Sequence, residues 1–366
     1  MIAADQPRQR PPQAKLLVVD ACGGMTHAPR ADFVDFLRRG DLVIANDAAT
    51  LPASLRGVHV PSAADVEVRL AGRSSLAMDD VKQFVAVVFG AGDFRMRTEA
   101  RPLPPPLAIG DRLALGPLSA TVRGVLGHPR LVLLGFDGSA DAIWAAIARH
   151  GRPIQYAHVP AALALWDVWT PIAGPPVAFE APSAGFALDW RSIAAMRERG
   201  IAFATLTHAA GISSTGDPDL DRRLPFDEPY RVPAATASVI RRTRAKGGRI
   251  IAVGTTVVRA LEHAAAVNGV VRAGDGVATQ RLGPRSRLRV VDAILTGTHE
   301  PGSSHYEVLR AFLHDMTLRR ADYELEAASY STHEFGDSVL IERTAAVADC
   351  ASTSGSPSIH CYRATA

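Results

Sequence analysis

Lysine is nearly missing from this chain of 366 residues: Lys15, Lys82 and Lys246 stand alone, and every other cationic side chain of that kind is arginine. Arginine presents a planar fork suited to carboxylates and phosphates, so the bias fits either genome composition or a use of phosphate contacts. Cysteine is scarce too. Cys22, Cys350 and Cys361 are odd in number and form no C-x-x-C, which leaves neither a disulfide framework nor a zinc site and fits a reducing, cytoplasmic compartment. No apolar run approaches the roughly 18 residues of a membrane span, and 16–19 is too short for a signal-peptide core. Net charge is small, +3, so no global basic field demands nucleic acid. What remains, 47% hydrophobic and 21% charged residues, is a globular composition, and the length suggests two domains.

Periodicity places the elements. Residues 16–20 and 41–46 read as strands around a short helix, 32–39. From 57 to 134 there are short β-type runs between turn residues, at 66–70, 84–89, 112–115, 120–125 and 131–134, the pattern of a small β-barrel or sandwich. Proline-rich 102–106 reads as a stiff spacer within it. Beyond 140 the patterns alternate, with helices over 142–149, 188–199, 234–246, 255–267 and 304–314 and strands over 201–206, 249–253, 287–295 and 339–342. This alternation predicts an α/β main domain, 1–56 and 140–345, with an inserted β-barrel domain, 57–139. A Ser/Thr/Ala-rich tail, 346–366, is expected to be disordered.

Two constellations carry chemistry. In L-L-V-V-D-A-C-G-G, residues 16–24, a strand meets Asp20, Gly23 and Gly24, as in a nucleotide-binding loop, and Asp47 follows at the end of the next strand. Only two glycines are present, His27 and Pro29 interrupt the loop, and the chain then turns all-β, so a hairpin is the better reading. In R-I-I-A-V-G-T-T-V-V-R-A-L-E, residues 249–262, a buried strand runs into Gly254, Thr255 and Thr256 at a helix start. Free N–H groups there suit an anion that Arg259, one turn later, also reaches; the alternative is a capped helix with a surface arginine. Basic residues cluster twice, as Arg241, Arg242, Arg244, Lys246 and Arg249, and as Arg281, Arg285, Arg287 and Arg289. Side by side they would make a stripe for a phosphate backbone; separately they are solvated surface.

The segment A-V-G-T-T-V-V-R-A-L-E resembles the signature of the S-adenosylmethionine:tRNA ribosyltransferase-isomerase family of queuosine biosynthesis. Further blocks match in order: Gly40-Asp41-Leu42-Val43 with Asn46 and Leu51-Pro52-Ala53; Ala181-Pro182-Ser183-Ala184-Gly185; Thr205-Leu206 with Gly211; Val290-Val291-Asp292-Ala293 to Thr296, then His299, Pro301 and Ser303; and Tyr330 with Gly336-Asp337. The chain departs from the family pattern in motifs that line a site. Ala49 and Ser54 stand at two arginine positions, Thr207 at a histidine, and 223–228 keeps only Glu228 of H-x-M-H-S-E. Leu165-Trp166-Asp167-Val168-Trp169 replaces R-Y-Q-T-V-Y, and Gly297, Thr298 and Glu300 surround His299. The fold reads as kept and the acceptor side as altered.

The resemblance implies an α/β barrel with an inserted β-barrel, and an enzyme that takes the ribosyl part of S-adenosylmethionine. S-adenosylmethionine is then a co-substrate, no metal is required, and tRNA is the expected partner of a monomeric, cytoplasmic protein. His299, Asp292 and Glu228 are the candidates for proton transfer, His299 first because imidazole titrates near neutrality. Gly254, Thr255, Thr256, Arg259, Pro182, Ser183, Gly185, Asn46, Ser303 and Asp337 are the substrate-binding candidates. Thr255, Thr256 and Arg259 are expected to hold the methionine carboxylate. Arg241, Arg242, Arg244 and Lys246 are the tRNA-binding candidates. The alternatives are a paralog using S-adenosylmethionine with a free small-molecule acceptor, and a catalytically silent RNA-binding paralog.

Overall fold

The computed structural model describes residues 1–344; the tail expected over 346–366 lies outside the described residues. The largest sheet has nine strands, in the spatial order Gly274–Ala278, Glu228–Val232, Ala202–His208, Leu42–Asn46, Ile250–Val253, Ala293–Gly297, Ser338–Glu342, Lys15–Val19 and Met25–Pro29. From Ala202–His208 through Ala293–Gly297 four neighbours run parallel, and Ser338–Glu342 returns antiparallel beside the last. Side chains of these strands sort by parity. Leu42, Ile44, Ile250, Ala252 and Ile294 face one core, shared with Val257 and Leu261 of helix Thr255–Asn268 and Ile240 of helix Ala234–Ala245. Val43, Ala45, Ile251, Val253, Ala293 and Leu295 face another, with Met196 of helix Trp190–Glu198. The two-residue period of a strand turns an unbroken apolar run into two buried faces, which is why such runs become central parallel strands.

Six strands close a separate barrel, in the order Leu118–His128, Leu131–Phe136, Gln83–Phe89, Ala64–Gly72, Ser54–His59 and Arg112–Leu115. The paired neighbours are antiparallel. The expected class, a mixed α/β main body with a small inserted antiparallel barrel, is observed, but the nine-stranded sheet of that body is open and does not close into the α/β barrel that the resemblance implies. The barrel's core reaches beyond its strands. It takes in Ile143 and Ile147 of helix Ala140–His150 and Phe179, whose ring meets Phe84 edge-on at 6.1 Å.

Local hydrogen bonding bears out the hairpin reading and corrects two other expectations. Residues 16–24 are a hairpin: Lys15–Val19 pairs with Met25–Pro29, and Asp20 Oδ1 accepts the N–H groups of Cys22 and Gly24 at 2.8 Å. The strand expected over 287–295 starts only at Ala293. Ahead of it the Glu262 carboxylate accepts the N–H groups of Arg289, Val290 and Val291 at 2.7–2.9 Å, so a side chain satisfies the backbone in place of a neighbouring strand. The helix expected over 304–314 is Ser304–Leu309, and a second helix, Asp315–Ala327, follows it.

Inside the barrel wall Glu67 is 3% exposed and accepts from Arg69 Nε at 2.8 Å, Arg101 Nη1 at 2.5 Å and Ser54 Oγ at 2.9 Å. Burial pushes its carboxyl up, but the charges and hydrogen bonds of Arg69 and Arg101 outweigh that and hold it below the ordinary value. Glu67→Gln leaves two buried guanidinium groups without their counter-charge. The unfolding free energy in urea at pH 7 is expected to fall by about 3–5 kcal/mol, the cost of breaking a buried pair from one side. A carboxyl depressed on folding stabilises above its unfolded pKa and stops doing so as pH falls through the folded one, so the difference between wild type and variant shrinks on acidification.

Candidate active site

The parallel strands end together, at Asn46, His208, Val253 and Gly297. The chain leaves Val253 through Gly254, whose φ of +93° favours glycine and whose N–H donates to Leu295 O at 2.8 Å. Helix Thr255–Asn268 starts at once. A cavity of about 140 Å³ opens at this edge, walled by Gly254, Thr255 and Thr256, by Pro182 and Ser183, by Glu228 and Arg259, and by His299. Eight of the expected residues, from four distant sequence blocks, therefore converge. The helix N-terminus in the wall favours negative charge there.

Two of the eight are each other's partners. Arg259 is 3% exposed and pairs with the Glu228 carboxylate, while its Nη2 donates to Ala278 O at 2.9 Å and to Phe226 O and Gln280 O at 3.2 and 3.3 Å. Burial pushes its pKa down to about 10. Glu228 also accepts the Gly211 N–H at 2.5 Å, and His208 Nε2 lies 3.5 Å from it. The expected surface or anion-reaching Arg259 is thus a buried group that fixes Glu228 in the wall. His299 bonds to Thr296 Oγ1 at 2.8 Å, and its ring stacks on His305 at 5.0 Å. His305 Nδ1 meets Thr255 Oγ1 at 2.9 Å. Burial drives His299 well below its ordinary pKa and His305 to about 4, so both are neutral near pH 7. The expectation that His299 titrates near neutrality is corrected by its burial.

Other candidates lie outside the cavity lining and have structural partners. Asn46 bridges strand ends, donating to His208 O at 2.9 Å and accepting from His208 N at 2.9 Å. Gly185 packs against Thr170, where a Cβ would come within 2.9 Å of a methyl. Ser303 caps helix Ser304–Leu309. Asp337 accepts the N–H groups of Lys15 and Ser331 at 2.7 and 2.8 Å. Asp292, expected in proton transfer, sits at the opposite edge of the sheet. It pairs with Arg244 at 2.8 Å and Arg343 at 3.4 Å and accepts the Ile250 N–H. Arg241, Arg242 and Lys246 are exposed at the end of helix Ala234–Ala245, which leads into that same amino edge, with strand Ile250–Val253 running from there to the cavity edge. The structure therefore separates the expected tRNA cluster from the cavity.

The cavity also holds groups that the sequence reading passed over: Glu180, His305, His333 and Glu334. Each adjoins a matched block, Glu180 directly before Ala181-Pro182 and His333-Glu334 between Tyr330 and Gly336, and that adjacency was the available signal. Among the described residues, His158, His333 and Glu334 place one donor atom each within 4.8 Å of the others. The two rings stack at 4.1 Å and 18°, and His158 Nε2 bonds to Glu334 Oε2 at 2.8 Å. Parallel rings send their lone pairs side by side, which suits a hydrogen-bonded stack and not a tetrahedral ligand set.

The sequence model described as "Queuosine biosynthesis protein" matches residues 1–341. The chain is 32% identical over 343 residues to an S-adenosylmethionine:tRNA ribosyltransferase-isomerase of Gloeobacter violaceus, covering 92% of each. It is 32% identical over 369 residues to one of Sorangium cellulosum, covering 93% of this chain and 95% of that one. A crystal structure of S-adenosylmethionine tRNA ribosyltransferase from Thermotoga maritima is 22% identical, with a TM-score of 0.46 over 93% of this chain and 95% of that chain. With a family match over nearly its whole length and relatives aligned end to end, the chain belongs to the queuosine biosynthesis protein family.

Proposed function

We propose that the protein transfers and isomerises the ribosyl part of S-adenosylmethionine onto a 7-aminomethyl-7-deazaguanine in tRNA, giving epoxyqueuosine-tRNA, adenine and methionine. The observation that carries this reading is the convergence of the family blocks around Pro182, Gly254 and His299 on one cavity at the carboxyl edge of the parallel strands. The helix start at Gly254 supplies N–H groups and the Thr256 hydroxyl for the methionine carboxylate. Arg259 serves here as the anchor of Glu228. The sulfonium acidifies the neighbouring C–H, so its proton can be taken by a base, and the acceptor must attack as a neutral amine. His299 and His305, neutral and stacked, can accept hydrogen bonds without repelling the sulfonium.

A small-molecule acceptor is the second reading. The placement of Arg241, Arg242, Arg244 and Lys246 at the far edge favours it, since a cluster there does not steer RNA to the cavity. Among the described residues no helix is long and apolar enough to cross a membrane.

Adenine release from S-adenosylmethionine, followed by chromatography, is expected only when tRNA carrying the aminomethyl base is added. Release without tRNA selects the small-molecule acceptor, and no release under either condition removes the reaction. Exposed Arg242 tests the approach of the tRNA. If the acceptor enters at the carboxyl edge, Arg242→Glu keeps tRNA-dependent release within about twofold and leaves its salt dependence unchanged, whereas loss of a phosphate contact would flatten that dependence.

A further inference from the structure

One wall of the cavity carries two carboxylates that the reaction above does not yet employ. Glu180 and Glu334 both line it, and both also line a narrower recess with Tyr156 and His158. Tyr156 Oη donates to Glu180 Oε1 at 2.5 Å, lies 3.4 Å from Ser213 Oγ, and is itself met by the Ser214 N–H at 3.2 Å. His158 bonds to Glu334 and stacks between Tyr156 and His333. The turn that presents Glu334 is strained: His333 has a φ of +69°, a left-handed conformation that a residue with a Cβ rarely adopts. Four separate segments thus converge to hold two acids at the edge of one cavity.

Resting on the ribosyl-transfer reading, we propose that Glu180 and Glu334 form the subsite for the acceptor's primary amine, holding its ammonium form, and that Glu180 takes the ammonium proton. In that step one N–H bond breaks, its electron pair stays on nitrogen as the nucleophile's lone pair, and the proton goes to a Glu180 carboxylate oxygen. An alkylammonium titrates near 10 and an ordinary glutamate near 4, a gap of about six units that leaves a common carboxylate a weak base for it. Withdrawal from water raises Glu180 to about 7, which halves the mismatch while keeping the group charged above that pH.

The groups facing Glu180 set the direction of any further shift. Tyr156 and Ser213 lower it through hydrogen bonds, and the Glu334 charge raises it. Arg69 of the barrel stands over the Tyr156 ring at 5.4 Å and feels the Glu180 charge. His158 and His333 flank Glu334, and the other walls carry the Arg259–Glu228 pair and neutral His299 and His305. Tyr156→Phe therefore moves Glu180 up and Glu334→Gln moves it down.

The test is calorimetric binding of free 7-aminomethyl-7-deazaguanine against the 7-cyano base, which has no ammonium, to the full-length protein. Wild type is expected to prefer the aminomethyl base by about tenfold or more at pH 8, the worth of a charged hydrogen bond. The preference should fade as pH drops through the Glu180 titration, at a higher pH in Tyr156→Phe and a lower one in Glu334→Gln. Glu180→Gln should abolish it. Equal binding of the two bases by wild type, a preference kept in Glu180→Gln, or midpoints that do not move in opposite directions overturns the subsite. In adenine release with acceptor-bearing tRNA, Glu180→Gln should be slower by about 10²–10⁴-fold, the usual contribution of a general base. A rate close to that of wild type overturns the proton transfer. A wild-type protein that discriminates the two bases but neither binds S-adenosylmethionine nor releases adenine overturns the ribosyl-transfer reading and leaves the amine subsite standing.

Discussion

Burial of both faces of three central parallel strands is the constraint from which the rest of this structure follows. Leu42 to Ala45, Ile250 to Val253 and Ala293 to Leu295 have no polar side chain on either face, so helices must cover both. Parallel strands reached through covering helices bring all their carboxyl ends to one edge. What the chain does after each strand end then decides what that edge can do. After Val253 it turns through Gly254 into a helix, after Gly297 it runs to His299, and Asn46 ties its own strand end to that of His208.

Charge is divided between the two edges in different ways. At the amino edge cations and anions neutralise one another: Arg249 with Asp41 and Glu342, and Arg244 and Arg343 with Asp292. Such largely buried pairs close the sheet and leave little directed field. At the carboxyl edge the arginine is sunk beneath the wall with Glu228, and the groups facing the cavity are a helix N-terminus, neutral histidines and two further carboxylates. This edge offers hydrogen-bond donors for an anion on one side and acids for a cation on the other. S-adenosylmethionine and an amine acceptor together carry both signs, so the division matches the chemistry proposed for the site.

The barrel contributes more than a separate lobe. Its core continues through Phe179, and Glu180 follows directly on that ring. Arg69, held by Glu67 inside the barrel, reaches over Tyr156. The position of the Glu180 carboxylate is therefore coupled to packing in the β-rich segment, through one covalent link and one ring contact.

Central strands, the hairpin at 16–24, the glycine turn at Gly254 and the β-rich segment were legible in the residues, because apolar period and turn chemistry are local properties. The block order also marked most of the cavity's rim. Strand 287–295 was misplaced, since nothing local announces that Glu262 will take the N–H groups of Arg289 to Val291. Asp292 and His299 looked alike on the page, seven positions apart. A strand between them sends one to each edge, and only the direction of that strand in the sheet separates a salt-bridged support from a cavity histidine. Arg259 and Glu228 carried two separate roles in the sequence and became one buried pair. Residue type and local pattern belong to the sequence. Partner, burial and hence protonation state belong to the tertiary structure, because they depend on which distant charges and how little water surround each group.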